Sequence, residues 1–406
     1  MSLIDPILSH GDLEPEVGNL DGMEFELTPE QQQVRDLVRE FATQEIAPGA
    51  GERDEREELP LDIVKKLGEL GICGVPIPED YGGLGADAVT WALVIEELGR
   101  ADASVAVTVS VASGLAGGML VRYGTHEQRQ RWLPAIAAGE MLASFGLTEP
   151  GSGSDAAALR TKARLDDGEW MIDGSKSFIT NSGTPITGFV IVACLTEEGA
   201  DNGVSTILVP ADSPGFTVGP GYKKLGWRSS DTHELSFEAC RVPEDHLLGE
   251  RGKGLTQCLA ALDDGRISIA ALSVGLAQGC LDASVAYAKD REAFGRPIGA
   301  YEAIAFKIAD MRATIDAARL LTYRAAWLRD QGRPYTTEAA IAKLRASETA
   351  VDVAREAIQV HGGYGFTEEF PLARAYRDAK VLEIGEGTSE ILRLVIARDL
   401  GLQPQV

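Results

Sequence analysis

Near the C-terminal end of this 406-residue chain a single carboxylate stands between two glycines, in Ile384-Gly385-Glu386-Gly387-Thr388-Ser389-Glu390-Ile391, just before a segment of helical apolar period. Glycine on both sides removes steric cover from Glu386 and permits backbone angles that other residues avoid. That presentation suits a general base that must reach a bound substrate. A second segment rich in small and polar residues lies far upstream: Phe145-Gly146-Leu147-Thr148-Glu149-Pro150-Gly151-Ser152-Gly153-Ser154-Asp155. Other common sites are missing. No Gly-x-Gly-x-x-Gly follows a strand pattern, and there is no Walker-type loop and no Gly-x-Ser-x-Gly elbow. The five histidines, His10, His126, His233, His246 and His361, have no metal-ligand spacing, so no metal site is expected.

The two segments, in this order and about this far apart, resemble the two signatures of the acyl-CoA dehydrogenase flavoenzymes, most nearly the short- and medium-chain type. The resemblance runs over nearly the whole chain from Phe25 onward. It implies FAD as cofactor and an acyl-CoA thioester as substrate. Glu386 would take the α-proton as general base, and a hydride would leave the β-carbon for flavin N5, giving a trans-2-enoyl-CoA. The developing enolate would be stabilised by the backbone N–H of Glu386 and a ribityl hydroxyl of FAD. An electron-transferring flavoprotein would reoxidise the flavin, and fatty acid or amino acid catabolism is the expected setting.

Further segments extend the resemblance residue by residue. Leu147 and Thr148 match the family strand that contacts the isoalloxazine; a Gly/Ser-rich turn would look the same by itself. Phe178-Ile179-Thr180-Asn181 matches the aromatic-Ile-Thr-Asn segment, in which Thr180 would reach the flavin near N5. Phe178 stands where many members have Trp, so packing is retained and the indole N–H is lost. Arg291-Glu292-Ala293-Phe294-Gly295 matches Arg-x-x-Phe-Gly, and Gln359 with Gly362 and Gly363 matches Gln-x-x-Gly-Gly. Both are implied to meet the FAD of a neighbouring subunit, which implies a homotetramer. A guanidinium such as that of Arg291 suits a pyrophosphate, although a solvated charge at a helix end is the plainer alternative. His361 reads as a hydrogen-bonded structural histidine.

Thr388 and Glu390 align with contacts to the flavin's far end; Glu390 stands where some relatives carry Gln, and a favourable charge in a helix's first turn is its other reading. Ser154, Asp263, Arg266 and Gly387 align with the substrate side, Ser154 lying near both cofactor and pantetheine. Asp263 and Arg266 fall at i, i+3 on a long helix, where a surface ion pair of little worth is the alternative. One family branch carries its base just before this arginine; Gly265 occupies that position here and cannot serve. Gly385 replaces a tyrosine found in many short- and medium-chain relatives. Either it opens space for branched, cyclic or bulky acyl groups, or it eases the backbone turn. Two alternatives for the whole chain stay open at this level: an oxidase or flavin monooxygenase of the same fold, and a silent FAD- or acyl-CoA-binding protein.

Composition narrows the field. Thirty-eight basic against 62 acidic residues give a net charge of −24. With no concentrated basic patch, nucleic acid and anionic membranes are not expected partners. An anionic thioester therefore needs local positive groups or helix N-termini. Five dispersed cysteines without a Cys-x-x-Cys pair suggest reduced thiols and a cytoplasmic protein. Residues 1–24 form an acidic extension without the marks of a secretory or transit peptide. The uncharged run Ala103 to Val121 has the length of a membrane span, but its Ser, Thr and Gly content predicts a buried core helix instead.

The elements that must position these residues follow from periodicity. Over residues 25–140 the pattern is helical: Thr28, Pro29 and Gln31 form a capping box before Val34, Leu37, Val38 and Phe41, and Pro48 is expected to end that helix. Residues 141–250 show dense turn signals between short apolar runs, which predicts an antiparallel β-barrel or sandwich. Residues 251–406 return to long, Ala-rich helical segments, roughly Lys253 to Asp290, Tyr301 to Gln331, Thr336 to Val360 and Ser389 to Leu400, as in a four-helix bundle. The expected class is α+β, with a helical, a β and a helical domain in that order, which is also the acyl-CoA dehydrogenase order.

Overall fold

A computed structural model describes residues 26–196, 203–402 and 404. The acidic extension lies outside the described residues. The first helix, α1 (Pro29–Phe41), starts on the expected capping box: Gln31 N donates to Thr28 Oγ1 at 3.2 Å, and Thr28 N to Gln31 Oε1 at 3.1 Å. Pro48 does not end the coiling. The chain continues through a π-helical turn, Ala42–Ile46, and a 3₁₀ turn, Ala47–Gly49, into α2 (Ala50–Arg56). Pro48 sits in the first turn of the 3₁₀ segment, where a missing N–H costs little.

Helices α3 (Leu61–Glu69), α4 (Ala88–Ala101), α5 (Ala103–Val109), α6 (Gly117–Tyr123) and α7 (His126–Ala137) complete the N-terminal part. Residues Ser110–Ala116 join α5 to α6 as a π-helical stretch, so Ala103–Tyr123 is one rod, and it is mostly buried. Gly114 lies in that stretch because Trp91 packs on it: a Cβ there would stand 2.9 Å from the indole nitrogen. A second helix long and apolar enough to cross a membrane, Gly254–Asp290, is likewise mostly buried.

The middle sheet has eight strands: β1 (Leu142–Gly146), β2 (Lys162–Asp166), β3 (Glu169–Thr180), β4 (Thr187–Leu195), β5 (Val204–Pro210), β6 (Phe216–Gly221), β7 (Thr232–Pro243) and β8 (Leu247–Leu248). Their order is β6-β7-β3-β2-β4-β5-β8, with β1 beside β4. Most pairs are antiparallel as expected, and Asp167-Gly168, both at positive φ, close the β2–β3 hairpin. Two contacts are parallel: β1 with β4 along its length, and β2 with β4 at Lys162–Leu195. Parallel neighbours need a crossover and not a tight turn, and the β2–β3 hairpin supplies it between β1 and β4. Helix α7 covers the sheet through Trp132, whose ring lies 4.9 Å from that of Phe189.

The C-terminal part consists of α8 (Gly254–Asp290), a small hairpin of β9 (Glu292–Ala293) and β10 (Arg296–Pro297), α9 (Glu302–Asp330), α10 (Thr336–His361), α11 (Leu372–Leu382) and α12 (Ser389–Asp399). Glycines let α4 and α8 touch through their backbones: a Cβ on Gly275 would stand 2.0 Å from Glu96 O, and one on Gly99 2.8 Å from Leu272 O. The helix α11 has no counterpart in the periodicity reading. Its buried face mixes Leu372, Ala379 and Leu382 with a carboxylate, Asp378. That carboxylate ties the three parts together. Trp227 N, from the β domain, donates to Asp378 Oδ1 at 2.6 Å. Around it, Arg377 pairs with Asp54, and Arg53 holds Asp102 at 2.9 Å. Burial pushes the Asp378 pKa up to about 7, against the pull of Arg374. Helix α11 is thereby fixed, and it leads directly into the Glu386 turn.

Candidate active site

Residues 383–388 link α11 to α12. Ile384 N and Gly385 N both donate to Val381 O, at 3.0 and 2.9 Å, and Ser389 N donates back to Glu383 O at 3.0 Å. Thr388 caps α12 by accepting from Ile391 N at 3.3 Å. Inside this closed turn Glu386 adopts φ +52° and Gly387 φ +101°. A left-handed glutamate costs roughly 1–2 kcal/mol, and such outliers cluster at functional sites. Gly387 needs to be glycine for its angle. Gly385 does not: its φ is not positive, and a Cβ there would meet only Val381 O, at an ordinary 3.6 Å. The backbone reading of Gly385 therefore lacks support, and the space beside it is open.

The turn drives the Glu386 side chain against α8. A Cβ added to Gly265 would lie 2.0 Å from Glu386 Oε2, so the carboxyl rests on bare helix backbone. The residue as a whole is half-buried, yet Oε2 is screened from solvent and makes no hydrogen bond among the described residues. Desolvation pushes its pKa up to about 7, with Lys343 and Arg266 pulling the other way. Burial disfavours the charged form of an acid, so an upward shift is the expected sign. A carboxyl so poised is suited to proton abstraction near neutral pH.

Arg266 lies beside this group. It is 5% exposed, donates from Nη1 to Asp263 Oδ1 at 2.6 Å, and leaves Nε buried without a partner. Thr336 Oγ1 donates to the other Asp263 oxygen at 2.7 Å. Burial raises the Asp263 pKa, opposed by Thr336 and Arg266. The surface-pair alternative is thus replaced by a pair with a buried arginine and a largely covered carboxylate, beside Glu386 and Gly387. Periodicity reading missed Lys343 of α10, which is fully buried and donates from Nζ to Gly387 O at 2.7 Å. Its signal was a lone lysine on the buried alanine face of Ala339, Ala340, Ala342 and Ala346.

A second group forms at the end of β1. Leu147 is buried and Thr148 half-buried; Ser177 N donates to Thr148 O at 2.9 Å, and Lys176 Nζ to Leu147 O at 3.1 Å. This brings Leu147 and Thr148 next to Phe178 and Thr180 of β3. Lys176 and Glu149 form a buried ion pair at 2.8 Å, also unforeseen from the sequence. Glu149 further accepts from Arg160 N and Thr161 N, at 2.6 and 2.9 Å. Burial would raise its pKa, but the Lys176 and Thr161 hydrogen bonds prevail and lower it. At the bulge in β3, Phe178 takes φ +60° and is 65% exposed, its ring 5.0 Å from that of Tyr222. An aromatic face strained outward suits a planar, apolar group such as a flavin. Ser154 is exposed in the loop after β1.

A third group lines an open cavity of about 520 Å³, made by Tyr287, Arg291, His361, Gly362, Gly363 and their neighbours. A Cβ on Gly362 or Gly363 would meet no protein atom within 4 Å, so the missing side chains keep a cradle clear. Arg291 lies over the Tyr364 ring at 6.0 Å. His361 Nδ1 donates to Ala357 O at 2.9 Å, as expected of a structural histidine, but Nε2 is buried without a partner at this cavity. An open glycine cradle with an arginine fits an anionic cofactor segment, while the neutral His361 ring offers Nε2 there as an acceptor. Gln359 and Phe294 are exposed nearby in sequence and do not line the cavity, and the cavity shares no lining residue with the Glu386 site. Thr388 and Glu390 are used in starting α12: backbone and Thr388 hydrogen bonds lower the pKa of the exposed Glu390. Among the described residues no cluster of His, Cys, Asp and Glu could hold a metal.

The chain is similar along most of its length to known proteins. Three family models match in succession: acyl-CoA dehydrogenase N-terminal domain over residues 28–140, middle domain over 144–240 and C-terminal domain over 252–401. A probable acyl-CoA dehydrogenase of Bacillus subtilis is 51% identical over 93% of this chain and all of its own length. Among solved structures, butyryl-CoA dehydrogenase from Megasphaera elsdenii superposes with a TM-score of 0.90 at 39% identity, covering 94% of this chain and 100% of that one. A chain described as electron transferring flavoprotein of Acidaminococcus fermentans also reaches 0.90, at 41% identity, covering 93% and 99%.

The buried Asp263–Arg266 pair generates a stability prediction. Asp263→Ala leaves the guanidinium buried opposite Lys343 without its carboxylate. Losing one member of a buried pair costs about 3–5 kcal/mol. Chemical denaturation of the variant beside the wild type should read a loss of that order; a loss under about 1 kcal/mol would class the pair with exposed ones.

Proposed function

The chain belongs to the acyl-CoA dehydrogenase family, and on that footing we propose that it oxidises the Cα–Cβ bond of an acyl-CoA with Glu386 as the base. The observation that carries the assignment of the base is the Glu386 carboxyl itself: desolvated on Gly265, unpartnered at Oε2, and held in a left-handed turn. FAD is the cofactor and supplies the hydride acceptor. This chain's residues supply the rest. Leu147, Thr148, Phe178 and Thr180 form one polar-and-aromatic edge for the flavin ring system; Arg291, Gly362 and Gly363 offer an anion cradle for a diphosphate. Arg266 and Lys343 set a positive environment around Glu386 and Gly387 for an anionic transition state. Exclusion of water from Oε2 strengthens each of these interactions.

An electron-transferring flavoprotein is the proposed electron acceptor, supported by the likeness to the Acidaminococcus fermentans chain. The likeness to butyryl-CoA dehydrogenase supports a short acyl chain. Five buried, unpaired cysteines support a reducing compartment such as the cytoplasm.

The Arg291 cradle lies apart from the Glu386 site, and large rings stand uncovered near it in sequence: Phe294 at 98% and Phe366 at 88% exposure. Exposed aromatic surface of this kind marks an interface. Assembly of a homotetramer, or at smallest a dimer, would cover it and let one copy's cradle serve another copy's flavin. Mass photometry of the yellow protein should find no monomer at working concentrations; a flavin-loaded monomer would refute the shared site.

Glu386→Gln should keep FAD and acyl-CoA binding and lose flavin reduction by several orders of magnitude, since an amide cannot accept the α-proton. Because the base acts deprotonated and its pKa is pushed up to about 7, the wild-type reduction rate should climb with pH through about 7 and then level. Stopped-flow absorbance reads both; near wild-type reduction by Glu386→Gln would move the base elsewhere.

The open space at Gly385 makes it a selectivity position. Gly385→Tyr should lower kcat/KM for branched or cyclic acyl-CoAs by roughly 1–3 kcal/mol and spare short straight chains. Equal losses across a substrate panel, or loss of FAD, would return Gly385 to a backbone role.

A further inference from the structure

We propose that Lys343 is a positioning residue for the Glu386 base: its ammonium pins the Gly387 carbonyl and supplies the uncommitted positive charge that the buried carboxylate faces. The inference rests on Glu386 being the base. Its observations are separate. Lys343 is 0% exposed, in the first third of α10, yet among the described residues its only hydrogen bond is to a neutral acceptor, Gly387 O at 2.7 Å. Among the described residues it makes no ion pair within 4.0 Å, whereas the other fully buried lysine, Lys176, sits 2.8 Å from Glu149. Burying an ammonium without a contacting carboxylate is costly, so the site must compensate at longer range.

The compensation comes from Glu386. Among the described residues, the charged groups that bear on the site come from α8, the turn, α12 and α10. From α8 comes Arg266, but its charge is engaged by Asp263 at 2.6 Å. Asp264 on the same helix is engaged by Arg329 and Tyr335, each at 2.6 Å. From the turn itself comes Glu383, held by Lys380 at 2.5 Å, and from α12 comes the exposed Glu390. From α10 comes Lys343. Desolvation lowers the lysine's pKa to about 8, and Glu386 is the strongest influence opposing that fall. The same coupling lowers the pKa of Glu386 against its own burial.

The carbonyl contact adds a mechanical role. Gly387 follows the strained Glu386 and has φ +101°. Its carbonyl points into the protein, and Lys343 is what receives it. The hydrogen bond thereby clamps the left-handed turn that presses the carboxyl on Gly265. One side chain therefore fixes both where the base stands and how readily it ionises.

Two variants separate these roles in the FAD-loaded enzyme. Lys343→Gln keeps a donor and removes the charge; Lys343→Met removes both at similar length. Each is read by stopped-flow flavin reduction with saturating butyryl-CoA across pH, with FAD absorbance and circular dichroism confirming the fold. Without the charge the base holds its proton to higher pH. The acid limb should move up by about one pH unit in both variants, making reduction at pH 6 roughly tenfold slower. The high-pH plateau should fall further in Lys343→Met, which leaves the Gly387 carbonyl unmet, than in Lys343→Gln. An unmoved acid limb, or equal plateaus, overturns the inference. If Lys343→Met does not fold, the limb of Lys343→Gln alone decides. Glu386→Gln run alongside keeps the two ideas distinct: if it still reduces flavin, the base assignment falls and takes this inference with it; if it does not and the limb stays put, only the role of Lys343 falls.

Discussion

The site depends on one desolvated carboxylate. A free glutamate in water is too weak a base, and too heavily hydrated, to take a proton from a carbon acid. Here Glu386 is pressed onto helix backbone at Gly265, where no side chain intervenes, and its Oε2 has lost water without gaining a donor. An unpaired buried charge is among the costliest features a fold can carry. The protein tolerates it by leaving the group able to hold its proton near neutrality and by surrounding it with positive charge on two helices. Gly265 and Glu386 thus form a complementary pair, since any residue larger than glycine at 265 would evict the carboxyl.

Holding that arrangement requires strain, and the strain is confined. Glu386 and Gly387 are both left-handed, within a turn closed by three backbone hydrogen bonds and the Thr388 cap. The turn is short because α11 and α12 are fixed on either side. Helix α11 is fixed in turn by Asp378, Arg374 and Arg377, which meet charged groups from the N-terminal helices and the Trp227 backbone N–H of the β domain. The three parts of the chain are therefore joined by a buried ionic junction one helix away from the base.

The flavin edge follows the same logic on the sheet. Leu147 and Thr148 lie beyond the last residue of β1, where a single backbone hydrogen bond, from Ser177 N to Thr148 O, ties them to β3. Lys176 and Glu149 add to it, one bonding the Leu147 carbonyl and the other receiving two backbone N–H groups. A buried ion pair is weak as a source of stability but effective at specifying a geometry. The β3 bulge then turns Phe178 outward beside Tyr222, which a regular strand would not do.

By itself, the sequence determined the order of helical, β and helical parts, the Thr28 capping box, the four C-terminal helical segments it marked out and the two segments that hold Glu386 and Thr148. The elements follow from local periodicity and capping chemistry, which need no knowledge of distant neighbours, and the two segments stood out through their resemblance to a known family. It also placed Gly265 and Arg266 next to one another without showing that a carboxylate 120 residues away would lie on them. Tertiary structure alone decided that contact, the burial of Arg266 in its pair with Asp263 and the parallel seating of β1 on β4; α11 went unread although Leu372, Ala375, Ala379 and Leu382 recur at helical spacing. It also decided which lysines matter. Lys176 and Lys343 look like ordinary polar residues in a strand and a helix; only the fold shows both buried, one beneath the flavin edge and one behind the base. Charges that act across 27 or 43 positions of chain leave no local pattern, because electrostatics and desolvation depend on distance in space and not on separation in sequence.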